Sequence, residues 1–535
     1  MIRFGKKSTT LVVSAFVLVG LLAPIASSAS TAPANEPLSA SQLRGLLNAQ
    51  DLPTTERLPV TEESHPFNGA AWQNKPINLA RYGYVEREYL LSGESNVYDW
   101  SPNGNFELTV LRSGEVTTRM LVRRPQNMKT WSGKVNVEIL NPASYYDFTA
   151  VWSALWERTL GDHDIYVGIT SVPNVLPGMQ QFDPERYADL SWANPLPPEE
   201  QSCGLLPGEE GYDPFGSKLY ENGLVWDLLT QTGRLLKSDS AENPLGTRAK
   251  QVILSGESYS SNILLTYYRF FTPSAVLPNG NPIFDGYLAE TQVTLYGAEI
   301  NQCAPPLAFD DSQRVFPNRR VPWAGINSQA DYGGATGWDA PADTNTAGKK
   351  HAFWELAGSN HGWEWQYLYG DASAEDRVAA GFEDPIFKAW SCGPNNPEVP
   401  LYMSEKALFE QLQRWIETGE PPSRAPRIQH SALDPSDEFA DRTTYDGLGN
   451  ALGGIRYPMV AAPVASFGVG HFFLTGGCPE IVPFDGATLD ALYPTRQNYL
   501  ERYDAATALL LRQGFIRTED VAKLRSIARK VTSVG

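Results

Sequence analysis

The sequence predicts an α/β fold: a mostly parallel central sheet with helices on both faces, a lid-like insertion and a C-terminal extension. Three observations predict it. From about residue 140 onward, helix-length segments alternate with short apolar runs. Those runs are apolar on both parities rather than alternating, as strands covered on both faces are. One of them leads through Gly256-Glu257-Ser258-Tyr259-Ser260 into an apolar helix pattern.

The composition permits such a domain. A chain of 535 residues that is 42% hydrophobic and 19% charged can bury a substantial core. Its formal charge of −18, without any Lys/Arg cluster, disfavours a nucleic-acid partner, because phosphate binding is driven by clustered cations. The 45 glycines and 40 prolines suit shaped loops better than a helical bundle.

At the start of the chain, Arg3, Lys6 and Lys7 precede an uncharged, mostly apolar run over 11–25, and Ser27-Ser28-Ala29 offers small residues for cleavage. Residues 1–29 therefore read as an export signal. The run is short for a bilayer span, which needs roughly 20 residues. No Cys lies near the cut, so no stable membrane anchor is expected after cleavage. Residues 30–80 read as a poorly packed leader to a single domain, 81–535. Strands are predicted at 85–92, 118–124 and 134–140, separated by Gly, Asn and Pro turns. A helix follows at 147–160, where Phe148, Val151, Trp152, Leu155 and Trp156 recur at helical spacing, and then a buried strand at 164–170. Further on come a helix at 222–237, a strand at 251–254, a helix at 259–271, strands at 321–327 and 352–357, and a helix at 405–418.

Two stretches break this rhythm. Residues 172–220 are rich in Pro, Gly and acids and too long for a connection, which suggests a lid. The extension 420–535 contains DGLGNALGGIRYP (446–458), whose Gly and Asn residues suit the turns of a hairpin. Cys203, Cys303, Cys392 and Cys478 form an even set in a chain headed for an oxidising compartment, so one or two bridges are expected, with the pairing open. With no CxxC spacing, neither zinc nor redox chemistry is indicated, and no cofactor or metal is expected. The acidic group Asp434, Asp437, Glu438 and Asp441 lacks calcium-loop spacing and reads as a solvated turn.

The chemistry concentrates at Ser258. A Ser on a sharp strand-to-helix turn has its hydroxyl pushed out over the sheet edge, and small residues two before and two after let strand and helix pack closely. The pattern here is GxSxS rather than GxSxG. LSGES also occurs at 91–95, without a helix pattern after it, and there it reads as a turn. A nucleophilic Ser needs a base, and in the order Ser, acid, His only His351, His361, His430 and His471 follow it. His361 lies on the loop after AFWELAG, at the carboxyl end of a strand, and is the predicted base. His351 begins that strand and should sit at the opposite edge; His471 is the alternative. The acid should come from the loop after the preceding strand, VPWAGINSQADY, which gives Asp331; Asp285 is the alternative and Asp339 a weaker third. Oxyanion donors are expected from the Tyr259 N–H and from the loop after VNVEILNP. Pro142 has no N–H, which leaves Ala143 or Ser144, while Asn141 could orient that loop through its side chain.

With these residues placed, the sequence resembles the α/β-hydrolase superfamily, and within it a bacterial group of α/β-hydrolase-domain proteins similar to esterases in their site. The resemblance runs from about residue 83 to the C-terminus. It is carried by GYVEREYLLSG, TTRMLVRRP, VNVEILNP, FDPERYADL, the SGES elbow, FDGYL, ELAGSNH, DGLGNALGGIRYP and LYPTRQNYLERYDAATALLLRQGFI. Relatives more usually have an acidic residue where Gln329 stands. The resemblance implies an α/β-hydrolase fold and an exported serine hydrolase that cleaves a small-molecule carboxylic ester through an acyl-enzyme on Ser258. A peptidase, lactonase or acyltransferase using the same triad, or a non-catalytic binding protein on this scaffold, are the competing expectations.

Overall fold

The predicted strands pair into one sheet. The computed structural model describes residues 36–534 except 102–106, 293–296, 305–314, 332–339, 363, 383–398, 432–441 and 470–478. The sheet comprises β1 (Thr54–Leu58), β2 (Tyr84–Trp100), β3 (Leu108–Pro125), β4 (Lys134–Ile139), β5 (Ile165–Ile169), β6 (Gln251–Glu257), β7 (Gly286–Glu290), β8 (Trp323–Ser328), β9 (Thr344–Thr346), β10 (Lys349–Ala357) and β11 (Ile455–Arg456). Their spatial order is β1-β2-β3-β5-β4-β6-β7-β8-β10-β11, with β9 against β10. From β5 to β11 the path is parallel, while β1, β2, β3 and β5 pair antiparallel.

Helices cover both faces, as predicted. They are α1 (Ala40–Ala49), α2 (Ala150–Gly161), α3 (Leu176–Phe182), α4 (Val225–Leu236), α5 (Tyr259–Thr266), α6 (Glu364–Gly370), α7 (Ala374–Ala379) and α8 (Leu401–Thr418), followed by C-terminal helices that include Arg496–Gln513 and Asp520–Lys530. All seven residues of β6 are buried. Val252 and Leu254 pack with α4 and α5, and Ile253 packs with α2 and α8. A strand so enclosed carries no solvent face, which is why its sequence lacks polar alternation.

This order positions the site. The chain leaves β4 outward to β5 and then returns to lay β6 on the other side of β4. The loops after β4 and β6 therefore diverge at their carboxyl ends, and open parallel sheets bind ligands in the crevice at such a switch point.

Several expectations change. The leader is not loose: Leu43 and Leu47 of α1 join the core, and β1 pairs with β2 over its full length. The first LSGES is no turn but the middle of β2, where Leu91 to Ser95 pair continuously with β3. Strand pairing with β3 overrides the turn preference of Gly93. The helix predicted over 259–271 is α5 followed by a π-helical turn, Tyr267–Phe271. The 446–458 segment does make the expected hairpin turn, with Tyr445 and Ala451 bridged antiparallel, the Leu452 N–H donating to the Thr444 carbonyl at 2.8 Å, and Asp446 Oδ1 accepting the N–H groups of Leu448 and Asn450. Beyond it, Ile455 and Arg456 add an unforeseen parallel edge strand to β10. The 172–220 insertion is partly built into the body: Tyr187, Leu190 and Trp192 are core residues, and Ser191 bridges to Thr117 of β3. A Cys203–Cys303 disulfide, Cα–Cα 5.4 Å, ties it to the segment after β7. Cys392 and Cys478, the signal-like residues 1–29 and the 434–441 acidic group lie outside the described residues. Among those described, no helix is long and apolar enough to cross a membrane.

Candidate active site

Ser258 stands at the turn between β6 and α5 with φ 51° and ψ −115°. A non-glycine residue there is strained, and such strain is held by the packing around it. Gly256 explains part of that packing. A Cβ on it would lie 2.6 Å from the Ser260 carbonyl oxygen, so strand and helix could not approach. Ser260 occupies the position where the pattern departs from GxSxG. Its hydroxyl folds back, donating to the Glu257 carbonyl at 2.9 Å and accepting from the Glu257 N–H at 3.2 Å. A small side chain with its hydroxyl satisfied locally fits this position without Gly.

The chain then brings together three residues that are far apart in sequence. His361 Nε2 lies 2.8 Å from Ser258 Oγ, and His361 Nδ1 lies 2.6 Å from Asp331 Oδ1. Asp331 closes a 3-10 turn after β8, and its other oxygen accepts the Ser328 N–H at 2.8 Å and the Ser328 hydroxyl at 2.9 Å. His361 follows β10 through Gly358, whose φ of 74° disfavours any side chain and where an added Cβ would lie 2.8 Å from Val460. Burial alone would push this imidazole down. The Asp331 carboxylate, aided by its hydrogen bond and by Glu257, outweighs burial and lifts it above the ordinary histidine value.

The alternatives are placed elsewhere. Asp285 lies at the start of β7, the other end of the sheet from Ser258, and is bound to Lys237 Nζ at 2.7 Å and to the Val252 N–H at 2.8 Å. His351 is buried at the start of β10 against Phe316 and Phe353, and burial lowers its pKa to about 4. His471 and Asp339 lie outside the described residues. Gln329, at the position where similar proteins more usually carry an acid, ties loops together: its Oε1 accepts the Gly358 N–H at 2.6 Å.

The loop after β4 corrects one candidate. The Ala143 N–H is already donated to Asn141 Oδ1 at 2.9 Å, so it is not offered to a ligand. Among the described residues the Ser144 N–H has no acceptor, and the Tyr259 N–H, at the first position of α5, has none within its helix. The loop is firmly seated. Asn141 and Phe148 exchange backbone hydrogen bonds, and Asp147 accepts from the wholly buried Arg119 at 3.0 Å. Over it, Phe215 of the insertion packs its ring 5.3 Å from those of both Tyr145 and Tyr259.

Two residues escaped the sequence reading. Glu257 is buried beside His361, and Thr291 donates to it. A charged residue ending a strand otherwise fit for the core was the available signal for Glu257, because a buried carboxylate demands partners. Nothing comparable marked Thr291.

A parallel sheet reversed at β4/β6, with a strained Ser on the turn after β6 and an acid and a His after two later strands, defines an α/β hydrolase. Residues 53–526 match the family described as Alpha/beta hydrolase domain, and the chain belongs to it. No curated protein matches the sequence. Among solved structures, it is similar to one described as a dienelactone hydrolase from Klebsiella pneumoniae subsp. pneumoniae, at 12% identity over 55% of this chain and 95% of that one, TM-score 0.26. It is also similar to Thermogutta terrifontis esterase 2 at 8% identity (45% and 77% covered, TM-score 0.24) and to a glucuronoyl esterase from Solibacter usitatus at 8% (56% and 74%, TM-score 0.23). None of these likenesses bears on substrate.

Proposed function

We propose that this chain is an exported serine hydrolase that cleaves carboxylic esters. The observation that carries the reading is the unbroken line of hydrogen bonds from Ser258 Oγ through the His361 ring to Asp331, 2.8 Å and 2.6 Å. Ser258 Oγ attacks the acyl carbon while its proton passes to His361 Nε2. Asp331 holds the Nδ1–H tautomer and balances the imidazolium charge. The oxyanion is received by the Tyr259 N–H and by the Ser144 N–H, each donor of this kind being worth roughly 3–4 kcal/mol. Collapse expels the alcohol, which takes the Nε2 proton. Water then gives a proton to His361 and its hydroxide equivalent to the acyl carbon, releasing the acid and restoring Ser258. The seated 141–148 loop supports this sequence of steps, because the oxyanion site must exist before charge develops. Export rests on the basic-apolar-small pattern of residues 1–29, and the Cys203–Cys303 bridge suits an oxidising compartment.

The test is Ser258→Ala. It should abolish turnover of short p-nitrophenyl esters and labelling by a fluorophosphonate, and undiminished labelling would reject the assignment. Secretion by the native host of a chain beginning near residue 30, read by mass spectrometry, tests export.

A further inference from the structure

Glu257 immediately precedes the nucleophile, and the steps above leave it unused. One of its oxygens lies 3.8 Å from His361 Nε2, the nitrogen that takes the Ser258 proton, and both side chains are almost wholly buried. Two donors hold the carboxylate: Asn141 Nδ2 at 2.6 Å and Thr291 Oγ1 at 2.8 Å. Thr291 has φ 43°, an uncommon conformation for a β-branched residue, and its N–H donates to Ile326 at 2.8 Å. The backbone thus holds strain at the residue whose hydroxyl meets Glu257.

Glu257 also has acidic neighbours. Register places Glu290 of β7 beside it, and Glu138 of β4, opposite Ser255, is on the same face of the sheet. Glu405 comes to that face from α8, and all four residues are buried. The titratable groups acting on Glu257 and its neighbours are His361, Glu290, Glu405 and Glu138; Arg123, the cation felt by Glu138, is bonded to Glu86 at 2.6 Å. His361 also faces Asp331. Carboxylates so crowded in a dry interior cannot all ionise. Burial raises all four of these carboxyls above the ordinary value, and ionisation is least costly where donors, or the His361 imidazolium, meet the charge. Glu257 has two side-chain donors, and Glu138 has the N–H groups of Val151 and Trp152 and the Tyr166 hydroxyl. Among the described residues, neither oxygen of Glu290 or of Glu405 has a hydrogen-bond partner.

We infer that Glu257 is a second ionised carboxylate serving His361, a positioning residue that stabilises the imidazolium from the Nε2 side as Asp331 does from the Nδ1 side, while Glu290 and Glu405 remain neutral acids behind it. This rests on the Ser258-His361-Asp331 reading. With His361 neutral, Glu257 leaves the Ser258-to-Nε2 hydrogen bond intact; once Nε2 is protonated, a negative charge already stands 3.8 Å away.

The experiment follows the second-order rate of inactivation by an alkyl fluorophosphonate against pH, in the full chain and its variants, with Ser258→Ala alongside. Glu257→Gln should move the acid limb toward lower pH by about one unit or more, and lower the plateau rate roughly tenfold. Thr291→Val should move the limb the same way by less. Glu405→Gln should leave it in place, because an amide mimics a neutral acid. A limb unmoved in both Glu257→Gln and Thr291→Val overturns the inference, as does a Glu405→Gln shift equal to that of Glu257→Gln. If Glu257→Gln does not fold, Thr291→Val decides alone. Loss of labelling in Ser258→Ala with a limb unmoved in both Glu257→Gln and Thr291→Val sinks only this inference, whereas labelling that survives Ser258→Ala sinks the triad as well.

Discussion

Replacing Asp331 by Asn changes one oxygen for an NH2 group and leaves shape almost untouched, so its effect reports hydrogen-bond logic. Both carboxylate oxygens now accept: one faces His361 Nδ1 at 2.6 Å, the other the Ser328 N–H and hydroxyl at 2.8 and 2.9 Å. An amide offers only one acceptor. If its NH2 faces Ser328, donors oppose each other in a buried site, at about 1–3 kcal/mol. If its NH2 faces His361, every group is satisfied, but the ring must adopt the tautomer with Nδ1 bare and Nε2–H aimed at Ser258. That ring cannot accept the serine proton. The second orientation wins by the difference, and the missing carboxylate no longer supports the imidazolium. Together these should lower kcat for a p-nitrophenyl ester by roughly 10⁴-fold, about 5–6 kcal/mol. The sign of the pH effect follows. The free enzyme needs neutral His361, so its rate falls as pH drops through the imidazole pKa. In the parent that limb should lie above the ordinary 6.5, and in the variant below it, because burial then acts with less to oppose it. Asp285→Asn, at the other end of the sheet, should move neither kcat nor the limb. A kcat for Asp331→Asn within tenfold of the parent, with an unchanged melting curve, would refute the reasoning.

Other consequences are accessible to the same preparations. Gly256→Ala should lose about 1–3 kcal/mol of stability by thermal unfolding and most of its turnover, since the added Cβ meets backbone that cannot give way; a fully active variant would show that the elbow tolerates separation. Glu405 has a folded pKa raised by burial and by Glu257, so it favours the folded state below the ordinary carboxyl value of 4.5 and opposes it as pH rises. Glu405→Met should therefore raise Tm more at pH 8 than at pH 5, and the opposite ordering would contradict a buried, unsupported carboxyl.

The parallel sheet, the elbow at Ser258 and the His361 and Asp331 loops were legible because each is a local pattern: an apolar run, a turn residue, a position just past a strand's end. Burial on both faces writes itself into composition, and chain order limits which acid and base can follow the nucleophile. The role of Ala143 was not legible, because the Asn141 side chain takes its N–H only once the loop has closed. Nor was the place of LSGES at 91–95, where partner strands decide between turn and extended chain. Glu257 shows the same division: the sequence put a carboxylate beside the nucleophile, but whether it is ionised depends on Asn141 after β4, Glu290 and Thr291 at the end of β7, and Glu405 of α8, three separate parts of the fold. Local geometry follows from short-range sterics and solvent exclusion, which adjacent residues carry with them; hydrogen-bond partners and charge states depend on distances between segments that only the assembled sheet brings together.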